Sequence, residues 1–432
     1  LSMYTIRSYG FAAGRSAAQY ANAVYQNSLL AEPLPLNDVM ISLTNSYGYD
    51  HFGNEVDDEF NENGGIDDAG LLGPRQPLFA GAYLEDQITY KDLILNVGLR
   101  FDYFDSDNLT LKDPTRPETA INFQTNKIDP KGLTKTNTFS AVSPRLGFSF
   151  PVTDATVFHA QYGKFVQQSR LRDMYQGIYG LGTQLRGGFF IATPVGLDVR
   201  PTRTTQYEIG FTQQISTFAS FDITGYYKDI QDQVEFDLQN TASGSPYQSY
   251  NILTNGDFAT TKGVEVSFNM RRVENIMFNA SVSFQDAQGT GSNPNSKAGI
   301  VGAPLDGVTV FKPNYISPLD FNKAITGNVN LDYRFPADDP SPILREFGLS
   351  ALFTFDSGHP YTSGEGKGDA NGSLEGDNRF RSPIEALNAS GTPWVSQLDL
   401  KIDKSFTIAE KLRLNVYFLV INLLDATNIT NV

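Results

Sequence analysis

Apolar and polar residues alternate along most of this chain. Within residues 394–425, Leu398, Leu400 and Ile402 fall on one face, and Gln397, Asp399, Lys401 and Asp403 on the other. Past a short polar turn at 407–411, Leu412, Leu414, Val416, Phe418 and Val420 alternate with Arg413, Asn415 and Tyr417. A period of two predicts extended strand rather than helix. The two arms form one hairpin, each arm running roughly ten residues against the usual five or six. Strands of about nine to eleven residues, apolar on one face alone, are what crosses a bilayer as part of a barrel.

From residue 78 onward the pattern predicts roughly twelve such strands. They come in pairs: 78–90 with 92–104, 143–151 with 155–163, 204–215 with 218–229, 261–272 with 275–286, 322–335 with 346–356, and the hairpin above. Short turns join the members of a pair. Long segments separate the pairs, reaching to about 142, 203, 260, 321 and 393. A soluble sandwich has no reason to sort its connections this way. An antiparallel transmembrane β-barrel does, with short periplasmic turns and long extracellular loops. One face carries rows such as Leu95, Val97, Leu99 and Phe101, or Val264, Val266, Phe268 and Met270. The other carries Arg100, Asp102, Gln206, Glu208, Asp222, Lys228, Glu265, Asn269, Asn328, Asp332 and Arg334, which suits a wet lumen. The faces of 78–90 are not assigned by pattern. Tyr90, Tyr103, Tyr162, Tyr227 and Phe335 lie near strand ends, where aromatic girdles sit. Residues 1–77 read as an upstream barrel strand and loop segment, with a short helix at 16–25, a strand at 38–49 and an acidic loop at 55–68.

Composition changes this picture little. Hydrophobic residues make up 40% of 432 and mean hydropathy is −0.28, with no run near the ~18 apolar residues of a transmembrane helix. A barrel is compatible with that, because lumen-facing polar residues dilute its lipid face. The chain has no cysteine, which excludes disulfides and thiolate metal sites. A net charge of −15 argues against a nucleic-acid partner. The chain opens at Leu1 without a signal peptide, the reading being a mature fragment or part of something longer.

Several segments resemble one family in order: Ala82-Tyr83-Leu84-Glu85-Asp86-Gln87, Leu95 to Asp102, Ser143-Pro144-Arg145-Leu146-Gly147, Pro201 to Gly210, Thr261 to Glu265, Leu398 to Phe406 and Asn422-Leu423-Leu424-Asp425. Together they are similar to TonB-dependent outer-membrane receptors of the large, long-looped type. The resemblance implies a barrel of roughly 22 strands closed by an N-terminal plug. It also implies import of an extracellular ligand energised by TonB, an address in the outer membrane of a Gram-negative bacterium, and contact with its lipid. Three features depart from the family. Plug and TonB-box segments are not found. Leu424 replaces the phenylalanine of Asn-Leu-Phe-Asp. The chain stops at Val432 rather than on an aromatic-ended strand. Residues 78–432 are therefore read as the C-terminal portion of a barrel, with plug and final strand not present and TonB reached through an upstream segment.

Candidate chemistry is thin. The histidines are His51, His159 and His359, and no nucleophile elbow or dinucleotide loop occurs, so the reading is not an enzyme. His159 reads as an ordinary wall or lumen side chain. No cofactor is expected. Structural calcium is weighed in two acidic loops, 57–68 and the loop holding Asp369, Asn371, Glu375 and Asp377, against plain solvated loops. For ligand capture the loop 164–203 stands out, mixing Arg170, Arg172 and Arg186 with Tyr175, Tyr179, Phe189 and Phe190. Cationic and aromatic groups there suit an anionic or aromatic ligand, the alternative being a loop packed on its neighbours. The rival functions are a passive porin and a surface scaffold holding partner proteins or lipoproteins.

Overall fold

In the computed structural model the described residues are 2–11, 16–34, 36, 39, 44–50, 52–57, 73–122, 129–175, 194–247, 249–297, 315–366, 381–408 and 412–428. Twelve long strands dominate them. They are β1 (Leu78–Tyr90), β2 (Leu93–Asp105), β3 (Phe139–Thr153), β4 (Thr156–Gln167), β5 (Thr202–Ser216) and β6 (Ala219–Asn240). They continue as β7 (Ser249–Val273), β8 (Ile276–Gly289), β9 (Ile325–Arg334), β10 (Phe347–Asp356), β11 (Val395–Ile408) and β12 (Leu412–Val420). Each pairs antiparallel with the next, so the sheet runs in chain order from β1 to β12. Valine, isoleucine, threonine and aromatics fill these strands because they fit a pleated, half-buried surface. Two-residue turns close four hairpins, at 91–92, 154–155, 217–218 and 274–275. Lys91 and Glu274 take φ of 53° there, the left-handed backbone that such tight turns require.

Register sorts the two faces. Phe158, Phe211, Ile223, Val266 and Val282 stand in one row across five strands. Aromatic rings pack along the same side, Phe158 against Phe211 at 5.1 Å and Tyr162 against Tyr207 at 5.1 Å. The pairing of β1 with β2 places Ala82, Leu84, Ile88 and Tyr90 on this face, and Asp86 stands among them opposite Val97. Leu84 and Phe418 are 77% and 66% exposed, so the face asks for an apolar surrounding rather than water. Its other charges sit towards the strand ends. Lys262 pairs with Asp286 at 3.3 Å near the long-loop end. Near the short-turn end, Lys404 gives its ammonium to the carbonyls of Pro342 and Ile343, both at 3.0 Å, and of Arg345. Three donors thus meet three acceptors on an apolar face.

The third long segment differs from its expectation. Instead of looping from the end of a membrane strand to residue 260, it continues as hairpin, giving β6 22 residues and β7 25. Irregular pairing between Ile230 and Val234, where Asp232 takes φ of 60°, marks the change. Beyond it, residues 234–240 carry the strand roughly 20 Å onward. There Phe236 pairs with Leu253 and is fully buried.

Upstream, Ser2–Met3 pairs with the start of β1, Ser8–Phe11 pairs with Thr44–Tyr47, and helix α1 spans Ala17–Ser28. Ser16 and Gln19 form a capping box at its start. The expected helix is thus three residues longer at its end, and the expected strand at 38–49 is seen over 44–47. No helix among the described residues is long and apolar enough to cross a membrane.

Candidate functional site

At the long-loop end, segments after β2, after β4 and from the β6–β7 hairpin fold together into a cap. Its core includes Ile121, Met174, Val195, Phe236, Tyr250 and Leu253, all nearly inaccessible to solvent. Hydrogen bonds lock the segments to one another. The Asn108 amide donates to the carbonyls of Met174 (2.7 Å) and Leu197 (3.3 Å), and the Asn255 amide to those of Arg200 (2.9 Å) and Asp232 (2.7 Å). The Tyr250 hydroxyl donates to the Pro114 carbonyl at 2.7 Å, and burial pushes that phenol above its ordinary value.

Three of the seven residues singled out for ligand capture lie in this region. Tyr175 is inside the core, 7% exposed, with its hydroxyl donating to the Ser106 carbonyl at 2.6 Å. Arg170 and Arg172 are exposed on the single helical turn Leu171–Met174 and its cap. Tyr179, Arg186, Phe189 and Phe190 lie outside the described residues, as do Asp369, Asn371, Glu375 and Asp377. Of the other acidic loop, Asp57 is described and pairs with Arg7. No cluster of three metal-ligating side chains occurs among the described residues.

Beside the cap, an ion cluster ties the β6–β7 hairpin to the segment after β8, bringing together residues that no local pattern relates. Lys297 donates to Glu235 at 2.6 Å and to Asp257, while the Thr290 hydroxyl reaches Asp257 at 2.6 Å. Side-chain exposure is 7% for Lys297 and Glu235 and 2% for Asp257. A Cβ on Gly256 would lie 2.0 Å from a Glu235 carboxylate oxygen, so a larger residue there would have to push that carboxylate aside. Burial pushes the Asp257 carboxyl above its ordinary value, against the hydrogen bonds from Lys297 and Thr290.

The inner face of the sheet carries paired charges. Arg334 grips Asp403 through two bonds of 2.8 Å, Arg100 meets Asp102 at 2.8 Å, Arg413 meets Glu346 at 2.7 Å, and Arg272 meets Asp332. Two-pronged arginine–carboxylate contacts of this kind fix side chains as well as neutralise them. His159 lies on this face, 3.2 Å from the Thr224 hydroxyl, which donates to Asp222 at 2.9 Å. That is an ordinary wall environment for a histidine. Between β1 and β5 the wall opens into a hollow of about 550 Å³ around Arg145.

Comparison with known proteins matches the arrangement. No curated protein matches the chain in sequence. Among solved structures, the outer membrane transporter YddB from Escherichia coli shares the fold, with a TM-score of 0.50 and 12% identity over 82% of this chain and 51% of that one. An iron transporter, FrpB from Neisseria meningitidis, aligns at 15% identity and a TM-score of 0.49, covering 82% of this chain and 42% of its own. The chain thus spans about half the length, or less, of these structures. The family described as TonB dependent receptor-like, beta-barrel matches residues 3–423, and the chain belongs to it.

Proposed function

We propose that this chain is barrel wall of an outer-membrane receptor that captures an extracellular ligand at its long-loop end. The ligand then passes through a plugged barrel with energy from TonB, which acts on an upstream segment. Proteins of this family are receptors and transporters, and outer-membrane β-barrels of Gram-negative bacteria. The observation that carries the reading is the cap, in which three long segments share one core beyond the membrane strands. A receptor needs a rigid surface to hold a ligand without a large entropy cost, and an ordered cap supplies one. Exposed Arg170 and Arg172, which have no carboxylate partner among the described residues, are the proposed contacts for an anionic ligand. Tyr179, Arg186, Phe189 and Phe190 follow in the same segment.

A surface scaffold holding a lipoprotein shares the same cap, and uptake separates the two. Cells lacking the full-length receptor are compared with wild type for uptake of labelled ferric siderophores, a vitamin, oligosaccharides and peptides, with and without TonB. The expected result is one class whose uptake needs both receptor and TonB while surface binding needs the receptor alone. Uptake unchanged across the whole panel, with a protein partner lost from the cell surface, would favour the scaffold.

A further inference from the structure

Arg145 stands on the inner face of β3, midway between Phe139 and Thr153. Its register neighbours on both sides are glycines, Gly98 of β2 and Gly163 of β4. Gly147 follows on the same face. With no side chains at these positions the wall recedes into the hollow of about 550 Å³, bordered by Tyr83, Asn96, Arg100, Gln161 and Phe165, and by Glu85, which stands across Gly98 from Arg145. A Cβ on Gly163 would lie 2.8 Å from the Phe165 ring, so that glycine is what lets the ring lie where it does. The Arg145 guanidinium sits 4.7 Å from the centre of this ring. Such a contact holds the cation electrostatically while consuming none of its five N–H donors.

The other inner-face arginines are already engaged. Arg100, Arg272, Arg334 and Arg413 each hold a carboxylate. Among the described residues Arg145 makes no ion pair and no side-chain hydrogen bond: its guanidinium lies over the ring, and Glu85, the carboxylate of the same hollow, does not reach it. A merely solvated arginine in a wet lumen needs neither a cleared floor nor a ring beneath it. We propose that the hollow binds a carboxylate on the Arg145 fork, with the amides of Asn96 and Gln161 and the Tyr83 hydroxyl as neighbouring polar groups. The carboxylate belongs to a solute in the lumen or to an acidic side chain of a protein segment lying there. The inference needs only the inner face of the wall, so it stands or falls separately from ligand import.

The full-length receptor in detergent micelles is labelled with phenylglyoxal, which reacts with accessible, unengaged guanidinium groups. Arginine peptides are then compared in chloride and in excess benzoate at equal ionic strength. Labelling of Arg145 that is fast in chloride and slowed about tenfold by benzoate, with the exposed Arg271 at the short-turn end unaffected, identifies a solute carboxylate site. Slow labelling in both media, with a melting temperature lowered by Arg145→Gln and partly restored by Arg145→Lys, identifies a side-chain carboxylate of the protein. Any other pattern overturns the proposal: fast labelling indifferent to benzoate, or slow labelling without that melting response.

Discussion

Glu235 and Asp257 share a single ammonium, that of Lys297, away from water. Removing the cation takes the shared counter-charge from two buried carboxylates, and losing one partner of a buried ion pair costs about 3–5 kcal/mol. Lys297→Met is therefore expected to loosen the cap, read as faster proteolysis between β6 and β7. Adding Glu235→Gln and Asp257→Asn should restore much of the resistance, because the two negative charges that Lys297 offset are then gone. Equal cleavage of wild type and Lys297→Met would mean the cluster does not hold the cap. Sequence reading passed over this lysine for a physical reason: its carboxylates lie 62 and 40 residues away. Tyr175 shows the converse. Composition alone places it with Arg170 and Arg172 as a ligand contact, yet its hydroxyl partner is 69 residues upstream and the ring packs in the cap.

Strands were legible because alternation is local: each needs only its own residues to declare which side is apolar. The β6–β7 extension is not distinguished by pattern, since Val234, Phe236 and Leu238 alternate as cleanly as any membrane strand. What changes after Asp232 is the surrounding, from an apolar exterior to the packed cap, and no single-strand pattern reports that. The face assignment itself makes a prediction. Val266 stands in the outer row between Ile223 and Val282, while Glu265 points to the opposite side. A charge on the lipid side near the bilayer middle costs roughly 2–4 kcal/mol, so Val266→Arg should cut the yield of assembled barrel sharply and Glu265→Gln should not. Similar yields for both variants would show the two faces to be reversed.

Over the whole molecule, two interiors form in two different solvents. The outer rows of the wall are satisfied by lipid, and the cap by withdrawal of Phe236, Tyr250 and Met174 from water. Urea weakens the second kind of burial directly, whereas the hydrogen-bonded wall persists in detergent. Unfolding of the detergent-extracted protein should therefore occur in two stages. Protease resistance at the cap is lost first, and β-type circular dichroism and heat-modifiable gel mobility later. One coincident transition would show that cap and wall are a single cooperative unit. The barrel wall was legible from connection lengths alone, but the cap was not, since its core joins residues from 104 to 253 that no local pattern relates.

That shared core also limits how the cell-surface side can vary over time. Loops that merely dangle can change length and composition freely, which is how exposed proteins drift away from antibodies and phage. Here a change at Phe236 or Tyr250 is felt by three segments at once, so those segments must drift together or not at all. Free variation is left to points such as Ser243 at the hairpin tip, where the chain is exposed; its neighbour Gly244 has open space around it but a φ of +87°, which favours glycine.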